Sequence, residues 1–112
     1  MISLLALQLA VTLSKADEAS FKDYRDCVMK QVASADLAKE NNQIIEAARK
    51  SCDDDLLAAG MELAADDAEK QAGGKKLRAD ADTRMKLMEN EMTADALSAL
   101  VDRRTKAQNA QD

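Results

Sequence analysis

The chain of 112 residues lacks histidine, proline and tryptophan, and it has one phenylalanine, one tyrosine, three glycines and two cysteines. Without histidine, the side chain that most often serves as a general base or a metal ligand is missing. The 21 acidic residues outnumber the 16 basic ones, so the net charge is −5. This charge disfavours nucleic-acid binding, which requires a basic surface.

Catalytic and cofactor motifs are also missing from the sequence. It contains no glycine-rich phosphate loop and no recognisable catalytic triad, so we predict a protein that is not an enzyme, needs no cofactor and has no evident small-molecule substrate. Asp53, Asp54 and Asp55 suggest a divalent-cation site at first sight. Consecutive helical residues point about 100° apart, however, and the spacing of a calcium loop is absent. We therefore interpret the three aspartates as a solvated acidic face and expect no metal site.

The N-terminal segment, residues 2–14, contains nine apolar side chains and no charge. As a helix it would span roughly 20 Å, less than the ~30 Å hydrocarbon core of a bilayer, so it is typical of a signal peptide. Small residues at Ser14 and Ala16 predict cleavage after Ala16 and export to the periplasm or the medium. A basic stretch before the apolar run is missing. The alternatives are an upstream start codon, or an apolar segment that stays attached as a packed helix or membrane anchor.

The composition after the predicted signal peptide (1–16) favours helices. Of the 96 residues that follow, 49 are Ala, Glu, Lys, Leu or Arg, which is typical of long helices or coiled coils. Only 14 are Leu, Ile, Val or Phe, so we expect a thin core rich in Ala and Met. We predict one all-α domain over residues 17–106, a small bundle of three or four helices, and a frayed polar tail over residues 107–112.

Apolar stripes at helical spacing predict the first two helices. The first runs from about Asp17 or Ser20, with Ser20 as its N-cap, to Ala35, and its stripe is Phe21, Tyr24, Val28, Val32 and Ala35. Turn-forming residues at 34–42 predict a break. A second helix begins near Asn41 or Asn42, with the stripe Ile45, Ala48, Cys52, Leu56, Ala59 and Leu63. A weaker stripe on the opposite side of this helix predicts a further packed helix or a second subunit. The weaker stripe consists of Leu57, Met61, Ala64 and Ala68.

Gly73-Gly74 is the strongest turn signal in the chain. Residues 53–69 carry a charge of −7 and residues 75–86 a charge of +3, so folding back would place an acidic arm beside a basic arm. The alternative is one long helix through the two glycines. The basic cluster Lys75, Lys76 and Arg78 belongs to the basic arm. The alternative to pairing with the acidic arm is that this cluster binds an anionic lipid or polymer.

A third helix is predicted from the stripe Leu77, Ala81, Met85, Met88 and Met92. Its methionines favour gap-filling in the core, and the alternative is an adaptable binding surface or a soft-metal site. Thr93 is a candidate N-cap for a short fourth helix, because Met92 and Leu97 then occupy the positions of a hydrophobic staple.

The two cysteines, Cys27 and Cys52, predict a structural disulfide. An even cysteine count in a short exported chain favours pairing, and only one intramolecular pairing exists. The two residues are symmetric about the predicted loop, so we expect the bond to link the first two helices as a hairpin. Free thiols, an intermolecular bridge and a thiol-redox function are the alternatives, the last disfavoured because the spacing is not Cys-x-x-Cys.

These features predict a non-catalytic protein-interaction or structural module whose partner is an envelope protein or a second copy of itself. The candidate interaction residues are Leu57, Met61, Met85, Met88, Met92, Lys75, Lys76 and Arg78. The alternative function is a membrane-associated envelope component that retains the N-terminal segment, and a thiol-redox protein is a third.

Overall fold

The computed structural model of the chain describes residues 13–74 and 80–111. These residues are 87% helical, contain no strand and form four helices. The all-α prediction is therefore confirmed. The helices are α1 (Lys15–Ser34), α2 (Asn41–Ser51), α3 (Asp53–Ala72) and α4 (Ala81–Gln111).

Helix α1 lies at the centre of the fold and contacts each of the other three helices. Four residues of its predicted stripe are buried, since Phe21, Tyr24, Val28 and Val32 are each at most 3% exposed. The fifth, Ala35, follows the helix as its C-cap and is partly buried. The helix begins earlier than predicted, because Ser14 rather than Ser20 is its N-cap. The Ser14 hydroxyl accepts a hydrogen bond from the Asp17 backbone N–H, and the Asp17 carboxylate accepts one from the Ser14 N–H. This reciprocal pair satisfies two backbone donors that the helix leaves without partners.

Side-chain pairs fix the relative directions of the helices. Arg25 on α1 lies 2.8 Å from Asp95 on α4, and further along both helices Arg103 reaches the C-terminal end of α1, so α1 and α4 run parallel. Helix α3 runs antiparallel to α1, because Cys52, just before α3, is bonded to Cys27, whereas Asp67 near the end of α3 shares Arg84 with Asp17 at the start of α1. The thin core between them is rich in Ala and Met, as predicted.

The break between the first two predicted helices is confirmed, since α1 ends at Ser34 and α2 begins at Asn41. Helix α1 has no basic residue in its last turn. Instead, Arg103 of α4 donates to the carbonyls of Val32, at 2.7 Å, and Ala35, at 3.0 Å. Arg104 donates to the carbonyls of residues 37 and 39 in the same loop. The two arginines therefore supply the donors that the end of α1 and the following loop need.

The predicted second helix is divided into two, which corrects the hairpin prediction. Cys52 ends α2 and precedes α3, with φ −106° and ψ 17°, and is 1% exposed. The disulfide between Cys27 and Cys52 is present, with the Cα atoms 6.0 Å apart. It joins α1 to the start of α3, not the first two helices to each other. The physical reason for the break is electrostatic: Arg49 and Lys50 suit a helix C-terminus, and the aspartates at 53–55 suit a helix N-terminus.

The second half of the chain folds back after the glycines. Helix α3 ends at Ala72, and Gly74 has a φ of +80°, which a residue with a side chain adopts at a cost. The predicted fourth helix does not exist as a separate element, because α4 is continuous through Thr93. The Thr93 hydroxyl donates to the Glu89 carbonyl one turn earlier and so does not cap a new helix. Residues 107–111, predicted as a frayed tail, continue α4 and are exposed.

Candidate interaction surface

Helix α3 is apolar on two sides, and only one of them is packed against the bundle. Ala59 and Leu63 are 2% and 1% exposed and face α1. On the other side Leu57 is 64% exposed and Met61 is 65% exposed. The second stripe predicted from the sequence is therefore present on the surface, and no helix within the described residues covers it.

We call this surface the outer face of α3. It consists of six residues that are apolar and exposed and that follow one another at helical spacing: Leu57, Ala58, Met61, Ala64, Ala65 and Ala68. Leu57, Met61, Ala64 and Ala68 are separated by four, three and four residues, which is the spacing of a coiled-coil seam. The outer face therefore has the pattern of a helix that packs against one more helix.

A groove of about 380 Å³ between α3 and α4 adjoins the outer face. Gly60 and Ala64 form its α3 side, and Met85 forms part of its α4 side. A Cβ atom added at Gly60 would lie 3.9 Å from the Met85 methyl carbon, an ordinary van der Waals distance. Glycine inside a helix costs about 1 kcal/mol relative to alanine. The packing of α3 on α4 therefore does not require the glycine at position 60.

Acidic side chains border the outer face along its other edge. Asp55, Glu62 and Glu69 are seven residues apart, so they lie in one row along the helix. None of the three forms an ion pair with a residue of 13–74 or 80–111. The basic residue of α3, Lys70, lies 2.9 Å from Asp66 on its own helix. The surroundings of the outer face are therefore negatively charged.

A second and larger groove, of about 680 Å³, is lined by residues of α1, α2, α3 and α4. Arg49 on its wall lies 2.7 Å from Glu89 and donates a 3.3 Å hydrogen bond to the Tyr24 hydroxyl. Burial raises the pKa of Tyr24, and the hydrogen bond from Arg49 opposes that rise. The apolar part of this groove includes Leu97, which is 40% exposed.

A buried charge cluster, which sequence reasoning missed, joins three helices. Arg84 of α4 donates to Asp17 of α1 at 3.1 Å and to Asp67 of α3 at 2.6 and 3.2 Å. All three side chains are at most 10% exposed. Burial acts to raise the pKa of Asp17, but the hydrogen bond from the Ser14 backbone and the charge of Arg84 outweigh it and hold the pKa below its usual value. Both carboxylates of the cluster accept hydrogen bonds from Arg84, so the cluster serves to connect the three helices.

The remaining residues singled out from the sequence are distributed as follows. Met88 and Met92 are 4% and 1% exposed and fill the core, and Met85, at 8%, borders the groove beside α3. The basic residues Lys75, Lys76 and Arg78 lie outside the described residues.

The sequence predicts that an acidic arm, residues 53–69, lies beside a basic arm, residues 75–86. Among the described residues, one ion pair joins the two arms, between Asp67 and Arg84 at 2.6 Å. The aspartates at 53–55 form the first turn of α3. In residues 13–74 and 80–111, no three Cys, Asp or Glu side chains are arranged to hold a metal ion.

None of the helices within the described ranges is both long and apolar enough to cross a membrane. No protein-family model, curated protein or solved structure matches the chain.

Proposed function

We propose that the protein is a small exported helical protein that acts as a non-catalytic protein-interaction or structural module. The observation that carries this proposal is the outer face of α3, on which Leu57 and Met61 are both more than 60% exposed. Contiguous exposed apolar residues bordered by polar ones are typical of protein–protein contact sites. A thin core makes this exposure more significant, because the chain has few large apolar residues to spare for the surface.

Export is supported by the covalent bond. A disulfide indicates an oxidising compartment, because the cytosol keeps thiols reduced. The apolar segment at residues 2–14 would supply the targeting signal, and the destination would be the periplasm or the medium. N-terminal sequencing of the exported protein is expected to begin at Asp17, and recovery of the intact chain from the cytoplasm would contradict export.

A non-catalytic role fits the way the chain uses its charged groups. Catalytic sites keep a titratable group accessible to a substrate. The buried Arg84 holds two carboxylates of neighbouring helices, and Arg49 holds one carboxylate and the Tyr24 hydroxyl. These two arginines therefore serve helix packing, and the outer face of α3 is the surface that we assign to binding.

The test of the proposal is association of the oxidised chain. Light scattering and chemical crosslinking measure self-association, and affinity capture from the native envelope followed by reconstitution with the purified partner measures binding to another protein. We expect a complex that survives dilution to micromolar concentration. A strictly monomeric chain that binds no envelope protein would contradict the proposal.

One observation favours a second candidate, a membrane-associated envelope component that retains residues 2–14. Ser14 caps α1, and Leu13 packs against the core, so the residues just before the predicted cleavage site belong to the folded domain. Cleavage after Ala16 would remove this cap. A chain that stays with the membrane fraction after a carbonate wash would favour this candidate, whereas release into the soluble fraction would favour the first.

A further inference from the structure

We propose that the outer face of α3 binds an amphipathic α-helix of another protein, with an apolar face and an excess of Lys and Arg along one flank. This inference rests on the proposed function and specifies the partner of the same surface. The outer face is an exposed apolar helix surface next to a groove, and such a surface accepts the apolar face of a second helix.

Gly60 lies in the groove beside the outer face. The helix would be more stable with alanine at this position, and the groove has space for the additional methyl group. The internal packing of the protein therefore gives no reason for glycine. A docked helix gives one, because glycine allows another backbone to approach closely, as small residues do at tight helix contacts.

The charge beside the outer face determines which residues the partner carries on its flank. Asp55, Glu62 and Glu69 form an acidic row along one edge of the outer face, without ion pairs to described residues. On the groove side, Asp82 and Glu89 are also acidic, although each has a basic partner within the fold. A partner with basic residues beside its apolar face is attracted to this edge, whereas an acidic partner is repelled.

The same charges disfavour two other occupants. A second copy that used the same face would bring the row of Asp55, Glu62 and Glu69 close to its own equivalent, because a two-fold interface pairs identical surfaces. An anionic membrane would meet these carboxylates with charge of the same sign. A basic helix of a different protein is the occupant that complements both the apolar and the acidic parts of the surface.

The experiment places a photo-crosslinking amino acid at single exposed positions of the full chain in the cells that produce it. Ala58 and Ala65 report on the outer face, Val101 reports on the exposed apolar part of α4, and Ala33 on α1 measures background labelling. The crosslinked partner segment is identified by peptide mass spectrometry. We expect adducts from positions 58 and 65 to one helix-forming segment whose Lys and Arg outnumber its Asp and Glu.

Three variants then test the contact, each with the photo-crosslinker at Ala65. Leu57→Gln with Met61→Gln is expected to lower the adduct yield about tenfold, because it removes the two large apolar contacts. Glu62→Lys with Glu69→Lys is expected to lower it by a similar factor, since it reverses the acidic row.

The Gly60→Ala variant separates binding from folding. It is expected to raise the melting temperature of the free protein and still to lower the adduct yield. A structural defect would lower both quantities.

The matched control for charge is Asp23→Lys with Glu91→Lys, which changes the net charge by the same amount at exposed positions of α1 and α4. We expect this control to keep the adduct yield within about twofold of the wild type. A control that lowers the yield as much as the reversal at positions 62 and 69 would overturn the assignment of the acidic row.

The outcomes distinguish this inference from the proposed function. Adducts to a neutral or acidic segment, to a second copy, to residues 1–12 of the same chain or to lipid would overturn the inference. Adducts from Val101 alone would overturn the inference but would agree with an interaction module that uses a different surface. No adduct above the Ala33 background at any position, combined with a monomeric chain, would overturn both.

Discussion

Replacing Arg84 by methionine tests whether the buried charge cluster holds the helices together. The substitution keeps the apolar stem and removes the cation that lies 3.1 Å from Asp17 and 2.6 Å from Asp67. Both carboxylates are at most 10% exposed in the wild type, so each loses a partner that water cannot fully replace. Breaking a buried ion pair on one side costs about 3–5 kcal/mol. Such a loss is a large part of the roughly 5–15 kcal/mol available to a small domain.

The assay is urea unfolding followed by circular dichroism at neutral pH. The unfolding free energies of the wild type and Arg84→Met are compared when both proteins show the same dependence on urea concentration. The matched control is the double variant Arg84→Met with Asp67→Leu, which also removes a stranded carboxylate. It is expected to recover about half of the loss or more, because an apolar pair replaces a charge without a partner. A loss below about 1 kcal/mol in Arg84→Met, or no recovery in the double variant, would refute the reasoning.

The pH dependence provides an independent check, since the pKa of Asp17 is held below its usual value of 3.8 in the folded protein. A lowered carboxyl pKa stabilises the fold above the ordinary pKa, and that contribution is lost as the pH falls through the lowered value. Without Arg84, the Asp17 carboxylate loses two of the interactions that lower its pKa, while burial still acts to raise it, so the pKa of Asp17 is expected to be higher in Arg84→Met than in the wild type. Arg84→Met is therefore expected to lose less stability than the wild type as the pH falls below about 4.

Three further predictions concern the rest of the fold. Reduction of the Cys27–Cys52 bond is expected to lower the free energy of unfolding by about 3.5 kcal/mol, because the bond joins residues separated by 25 positions in the sequence. An unchanged urea midpoint would contradict a structural role. Arg103→Ala is expected to lower the free energy of unfolding by about 1–3 kcal/mol and to speed amide exchange in the last turn of α1. Exchange that stays at the wild-type rate would argue against a stabilising role for the hydrogen bonds from Arg103. Leu57→Gln is expected to change the free energy of unfolding by less than about 0.5 kcal/mol, whereas Leu63→Ala is expected to lower it by about 2–5 kcal/mol. Similar losses in both variants would mean that the two faces of α3 are misassigned.

The sequence predicts the apolar parts of the fold well, because helical periodicity is a local signal. The stripe of α1 from Phe21 to Val32 is buried as expected, and the break before Asn41 falls within the predicted segment. The disulfide follows from the count of two cysteines. The outer face of α3 is also visible in the sequence, as a second stripe that contains Leu57 and Met61.

The errors have a common cause, which is that polar residues act over long sequence distances. The break at Cys52 carries no Gly or Pro, and its signal is the change from basic residues before it to three aspartates after it. Asp17 and Asp67 each extend an apolar stripe by four residues, and Arg84 lies four residues before the buried Met88. A charged residue on the apolar side of its helix is therefore the sequence signal for the cluster. The pairing of these residues was not predictable, because Asp17 and Arg84 are 67 residues apart.

The contacts between α1 and α3 have a consequence for the uniqueness of the native state. The apolar residues of α1 that face the core recur about one helical turn apart, so sliding α3 along α1 by one turn would bring it against similar side chains: Phe21, Tyr24, Val28 and Val32. The alignment of the two helices is fixed at two points, by the disulfide near the middle of α1 and by a guanidinium at its start. A one-turn displacement would have to break a covalent bond or leave a buried carboxylate without its partner. The polar and covalent links thus select a single alignment that the repeating apolar stripe alone would not specify.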